Sequence, residues 1–195
     1  MRMRRGSNSP SLFYICDHPR LQSLSTMKKL LIFLLLCSAT TTFAQQTETQ
    51  TYNFAITGKV KNESIITMDS LNNFPLKTIG NIKVTDHTGA FKHQDDQLKG
   101  VLLKDILNHS QWVLTPHLFS SMYFTCIGAD GYKVVYSWNE LFNTEIGDNV
   151  YIILEKNGIK ADKLPSSIQM VSMLDYKTGR RYLHNLDKIV VSIAE

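Results

Sequence analysis

Cysteine is scarce in this chain of 195 residues, which holds three, and two of them, Cys16 and Cys37, fall within the first 44 positions. Only Cys126 lies beyond, so the rest of the chain cannot close an internal disulfide and its stability has to come from a core. Long apolar runs are missing too: Leu30 to Leu36 is too short to anchor stably in a bilayer. There is no G-x-S-x-G elbow, no phosphate-cradling glycine motif and no C-x-x-C-H haem attachment, and Cys126 has no nearby His in sequence to activate it. These absences remove the sequence grounds for a hydrolase, a nucleotide binder or a chain carrying its own haem. No internal repeat occurs, and the one low-complexity stretch is the Gln/Thr-rich Gln45 to Thr51, which reads as a disordered lead-in.

An excess of positive charge is also missing once the N-terminus is set aside. Met27, Lys28 and Lys29 precede the apolar run, and a small-polar stretch then closes on Thr42-Phe43-Ala44-Gln45, which are the charged, greasy and cleavable parts of a secretory signal. Residues 1–26 carry Arg2, Arg4 and Arg5 without periodicity, as a start codon placed too early would give, with a cytosolic arm as the alternative. The residues before Cys37, Leu35-Leu36, are not the small ones a lipoprotein signal uses. Cleavage after Ala44 is therefore expected, releasing an exported, periplasmic or secreted protein. Of 21 basic and 17 acidic residues, six and one lie in the removed part, leaving 15 against 16. A basic footprint for nucleic acid or for a membrane surface disappears with it. The remaining 151 residues suit one domain, expected over residues 52–195, that buries about two-thirds of its unfolded surface.

A pass along that domain predicts an α+β order dominated by strands. Tyr52 to Val60 alternates as a strand, with Gly58 marking a bulge or a close backbone approach, and Lys61 to Ser64 turns into Ile65 to Thr67. Asp69 is a plausible N-cap for a one-turn helix, Ser70 to Asn73, stopped by Pro75. A strand at Ile82 to Thr85, a polar loop from Asp86 to Gln97 and a helix from Leu102 to His109 come next. Strands Tyr123 to Ile127 and Lys133 to Tyr136 precede Ser137 and Glu140, an S-x-x-E capping box opening the helix Ser137 to Phe142. Val150 to Glu155 leads through the hairpin-type turn Lys156-Asn157-Gly158 toward Ile159 to Leu164. Ile168 to Leu174, a turn at Asp175 to Gly179 and a last strand, Lys188 to Ile193, close the chain. Without regular βαβ alternation, a doubly wound sheet is excluded.

Two segments carry a family resemblance. Leu98 to Leu107 reads LKGVLLKDIL, a Gly turning the chain into a short helix with apolar Val101, Leu102, Ile106 and Leu107; Gly128 to Tyr132 reads GADGY, a tight turn after a strand. Together they resemble the oxidoreductase molybdopterin-binding domain, the sulfite-oxidase type of fold, over about Phe54 to Ile193. The resemblance implies a mixed, barrel-like β core with short inserted helices, and a cleft that holds molybdopterin. It also implies a Cys thiolate on molybdenum at the end of a central strand, since soft sulfur suits that metal. The matching strand end here reads Thr85-Asp86-His87, and neither Thr85 nor Asp86 replaces a thiolate. The family's late strand carries an Arg that clamps the cofactor's phosphate with its planar fork; here Gln169 falls at that place, with Arg180 or Arg181 as the possible compensation.

The cleft candidates are accordingly Thr85, Asp86, His87, Asp130, Gly131, Tyr132, Gln169 and Arg180. Each also has a plainer reading. Asp130-Gly131 is a strong turn signal, with Tyr132 re-entering the core. The stretch Asp86 to Asp96 gathers two imidazoles and three carboxylates, residue types that bind zinc, but at no compact ligand spacing, so no metal site is assigned. Cys126 reads as a small buried hydrophobe; His109 and His117 read as surface or capping residues, and Asp175 to His184 as a solvated turn. Three functions follow: a cofactor-poor relative binding a small molecule or partner, a molybdopterin-dependent oxidoreductase with atypical ligation, and a structural or interaction module of the cell envelope. The fold cannot choose among them.

Overall fold

Met122–Gly128 alternates strictly between buried and half-buried positions, which sends Met122, Phe124 and Cys126 into the core and makes this segment the fifth of ten strands among the described residues. The computed structural model describes residues 49–195, within a unit spanning Thr47–Glu195. Its elements are β1 (Asn53–Gly58), β2 (Ser64–Thr67), α1 (Met68–Leu71), β3 (Lys77–Thr85), β4 (Phe91–Leu102), α2 (Leu103–Asn108), β5 (Met122–Gly128), β6 (Lys133–Ser137), α3 (Trp138–Phe142), β7 (Val150–Lys156), β8 (Ile159–Lys160), β9 (Gln169–Ser172) and β10 (Leu186–Ile193). The extension expected at 1–26 and the signal expected at 27–44 lie outside the described residues. Of the lead-in, only residues 49–51 are described, and there Gln50 Nε2 donates to Leu164 O at 3.1 Å. Among the described residues no helix is long and apolar enough to cross a membrane.

The strands form two five-stranded sheets, β2-β1-β10-β5-β6 and β3-β4-β7-β8, with β9 also on β7. Only the β1–β10 pairing is parallel; the other ladders are antiparallel. The α+β expectation therefore holds, with a correction: the core is not barrel-like. No ladder joins the two sheets, β2 and β6 are the outer strands of the first, and β3 is an outer strand of the second. The larger core sits between the sheets, where Phe54, Ile56, Phe124 and Ile189 meet Val101, Val150, Ile152 and Met170, with Leu103, Ile106 and Leu107 of α2 closing one side. A smaller cluster of Ile82, Val84, Leu98, Ile153, Val171 and Tyr182 lies on the second sheet. Gly58, at φ +93°, lets β1 come so close to β10 that a Cβ there would strike the Val191 carbonyl.

Local signals decided the turns. Ser137 Oγ accepts from Glu140 N at 3.1 Å and Glu140 Oε2 accepts from Ser137 N at 2.8 Å, the reciprocal box expected. Asn157 and Gly158 both take positive φ, 54° and 75°, as a tight hairpin between β7 and β8 requires. Four expectations need correction. The first helix is capped by Thr67, whose Oγ1 accepts from Ser70 N at 3.1 Å, in place of Asp69. The polar loop 86–97 is short, because Phe91–Gln97 already belongs to β4 and is held by pairing with β3, not by an apolar face. Ile159 to Leu164 gives a two-residue strand and then a single 3-10 turn. Tyr132 does not re-enter the core; it is 44% exposed.

Candidate functional site

The end of β3 is held by the turn at Thr178–Arg180. Thr178 Oγ1 donates to Lys83 O at 2.8 Å and accepts from Thr85 N at 3.0 Å, so the 178–180 turn completes the hydrogen bonding of this outer strand. Gly179 packs flat on the Thr85 carbonyl, where any Cβ would collide. The chain then reverses through Asp86, whose Oδ1 accepts from Thr88 N (2.8 Å), Thr88 Oγ1 (2.6 Å), Gly89 N (2.9 Å) and Ala90 N (3.0 Å). The Thr88 hydroxyl first, joined by these amides, holds the Asp86 carboxyl down at about 2 against the opposing effect of desolvation. Across from it, Asp130 Oδ1 accepts from Tyr132 N at 2.8 Å and Gly131 supplies φ +82°. The Tyr132 hydroxyl then reaches over to donate to Arg180 O at 2.8 Å, while Arg180 Nη2 donates to His87 O at 3.2 Å.

Between these segments lies an open cleft of about 330 Å³, lined by Thr85, Asp86, His87, Asp130 and Tyr132 together with Lys92, His93, Tyr182 and His184. Five of the eight sequence candidates thus converge. Gly131 sits in the turn beside it, and Arg180 contributes to the rim through its backbone and its bond to His87. Gln169 is one layer behind: it is buried, and its Oε1 accepts from Lys156 Nζ at 3.1 Å and lies 2.9 Å from the Tyr182 hydroxyl. That hydroxyl donates to Asp95 Oδ2 at 2.7 Å, and Lys156 Nζ lies 3.5 Å from the same oxygen. Burial first, and then the bond to Asp95, push the Tyr182 phenol well above its usual range. The other Asp95 oxygen is 3.6 Å from His93 Nε2 in the cleft wall, and the His184 ring stacks on Tyr182 at 4.8 Å. A buried quartet of Asp95, Tyr182, Lys156 and Gln169 therefore backs the cleft.

Sequence reasoning did not place Lys92, His93, Tyr182 and His184 in the cleft or Asp95 and Lys156 behind it, and the solvated turn expected over Asp175 to His184 is corrected, because Thr178 and Tyr182 are buried. One signal was present: period two along Phe91 to Gln97 places His93 and Asp95 on one face. Lys156, 61 residues from Asp95, was hidden in a turn motif. Among the described residues no group of three or more His, Cys, Asp or Glu is placed to hold a metal ion.

The donor set does not fit molybdopterin. The strand end offers a hydroxyl, Thr85 Oγ1, which is buried without a partner, and a hard neutral oxygen is a poor ligand for a thiolate site. Cys126 is fully buried in the larger core, and desolvation pushes its thiol up to about 12. Arg181 cannot serve as a phosphate clamp: Nε and Nη2 are spent on Asp175 at 2.7 and 2.5 Å and Nη1 on Glu140 at 3.0 Å.

No family model and no curated protein matches this chain. Among solved structures it is similar to the sulfane dehydrogenase SoxCD from Paracoccus pantotrophus, with a TM-score of 0.53 and 14% identity over 72% of this chain. The match covers 38% of that chain, so this protein spans well under half of its neighbour. The likeness shows a shared fold.

Proposed function

We propose that this is an exported domain that uses a sulfite-oxidase-type scaffold without its metal cofactor, and that binds a small polar molecule in the cleft at the end of β3. Two observations together carry the reading: the cleft is open and lined by imidazoles and Lys92, while among the described residues the one cysteine, Cys126, lies in the core. The two lining carboxylates are engaged in their own turns, Asp86 with Thr88, Gly89 and Ala90 and Asp130 with Tyr132. The side chains left to meet a ligand are the Lys92 ammonium and the His87 and His93 imidazoles, a set that suits a small molecule carrying acceptor oxygens. The Asp95 quartet supports this role by fixing Tyr182 and the wall around His93, so that the cleft is preformed.

The test is elemental analysis with native mass spectrometry on protein exported from a host that makes molybdopterin, for the wild type and for Thr85→Cys. The wild type is expected to hold no molybdenum and to carry a small-molecule adduct that His93→Ala loses. Molybdenum at one per wild-type chain overturns the reading. Molybdenum in Thr85→Cys alone identifies Thr85 as a disarmed ligand position on a retained pocket.

A further inference from the structure

Two surface features lie at opposite ends of β7, and the first shares Arg180 with the rim of the cleft. At its start, Val150 pairs with Ser172, and the loop that follows presents Tyr176, which is fully exposed, and Leu174, which is 48% exposed. This loop is not slack. Ser172 Oγ donates to Asp175 Oδ1 at 2.8 Å, Arg181 grips the same carboxylate with two nitrogens, and Thr178 ties the far side to β3. Lys177 and Arg180 flank the aromatic ring, and neither has an ion-pair partner among the described residues. A large ring held out on an ordered loop loses little entropy when it docks, and tyrosine beside arginine is the composition of binding hot spots.

At the other end of β7, Leu154 forms with Met68 and Leu76 the apolar lining of a pocket of about 360 Å³, rimmed by Asp69, Glu155 and Asp162. Lys99 neutralises Glu155 at 2.8 Å and Lys160 also lines the pocket. Asp69 and Asp162 have no ion-pair partner among the described residues. One end of the strand thus carries an aromatic knob with Lys177 and Arg180 beside it, and the other a mixed pocket in which Met68, Leu76 and Leu154 are edged by two free carboxylates and by Lys160.

We propose that the Met68–Leu76–Leu154 pocket receives the Tyr176 loop of a second copy of this chain, with Lys177 and Arg180 facing Asp69 and Asp162. Because knob and hole sit at opposite ends of one strand, the contact is head-to-tail: each copy keeps a free knob or hole, and association continues past the dimer unless a ring closes. The cleft reading is independent of this one, and neither stands or falls with the other.

Sedimentation analysis of the purified protein over a range of concentrations tests it. Average mass is expected to climb past twice that of the monomer and to fall as salt is raised. Tyr176→Ala should weaken association by about tenfold or more. Asp162→Lys should weaken it as well, and adding Lys177→Asp to that chain should restore it. All these positions are exposed, and circular dichroism checks that the variants stay folded. A wild type that is monomeric throughout, a mass that stops at the dimer, or association unchanged by Tyr176→Ala overturns the proposal. So does a monomer whose position 176, carrying a photocrosslinker, captures a different protein, which assigns the knob to a foreign partner.

Discussion

Replacing Lys156 by Met keeps the length of the aliphatic stem and removes the ammonium, which isolates what the charge does. The Lys156 side chain is 16% exposed and that of Asp95 6%, so the substitution leaves a carboxylate almost out of water with the Tyr182 hydroxyl and the half-exposed His93 imidazole, 3.6 Å away, as company. Breaking a buried pair from one side costs about 3–5 kcal/mol. The residual exposure of Lys156 and the bond from Tyr182 place the loss near the lower end, about 3 kcal/mol. For a folded unit of this size that lowers Tm by about 9 °C, at about 3 °C per kcal/mol. Lys99→Met is the internal control: its pair with Glu155 has side chains 40% and 26% exposed, and such pairs contribute below about 1 kcal/mol. Urea unfolding followed by the fluorescence of Trp112 and Trp138, which pack in one aromatic cluster with Phe119 and Phe142, measures both. If Lys156→Met costs no more than Lys99→Met, the quartet is not a buried ionic centre and the reasoning fails. Adding Asp95→Asn to Lys156→Met should recover much of the loss, because the stranded charge is then gone.

Two further outcomes are expected. Asp86, held at about 2 against an ordinary 3.8, stabilises its turn fully above pH 3.8, and that contribution is lost as pH falls through about 2; an NMR titration of its carboxyl with a midpoint near 3.8 would contradict this, and Asp86→Asn should abolish the step. Cys126, buried and with its thiol up at about 12, should react with a thiol reagent only at the rate of unfolding, and rapid labelling of the native protein would show that the strand opens locally.

What the sequence made legible were features whose cause is local. The Ser137–Glu140 box, the Asn157-Gly158 hairpin and the Asp130-Gly131 turn each depend on a few adjacent residues, and each formed as read. Phe91 to Gln97 was not legible as a strand, since only Asp95 in it is buried and it owes its extended form to its β3 neighbour. The site divides in the same way. Thr85, Asp86 and His87 are contiguous and could be named together, whereas Lys156 and Tyr182 reach Asp95 from 61 and 87 positions away, a proximity that only the folded sheet creates. Gln169 was placed in the cleft by analogy with a charged residue; a neutral amide beside Lys156 and Tyr182 is instead content inside the protein.

The parallel pairing of β1 with β10 has a consequence for how the molecule comes into being. Ribosomes deliver Asn53 long before Leu186, so until the closing segment arrives the opening strand has β2 alone beside it, and its other flank waits bare. Register between Ala55 and Lys188 spans nearly the whole domain, a loop whose closure is slow. Deleting the last ten residues would therefore take out a middle rung of the sheet, stranding β1 and β5 on either side of a gap, and the first strand made would be left with no mate on that flank.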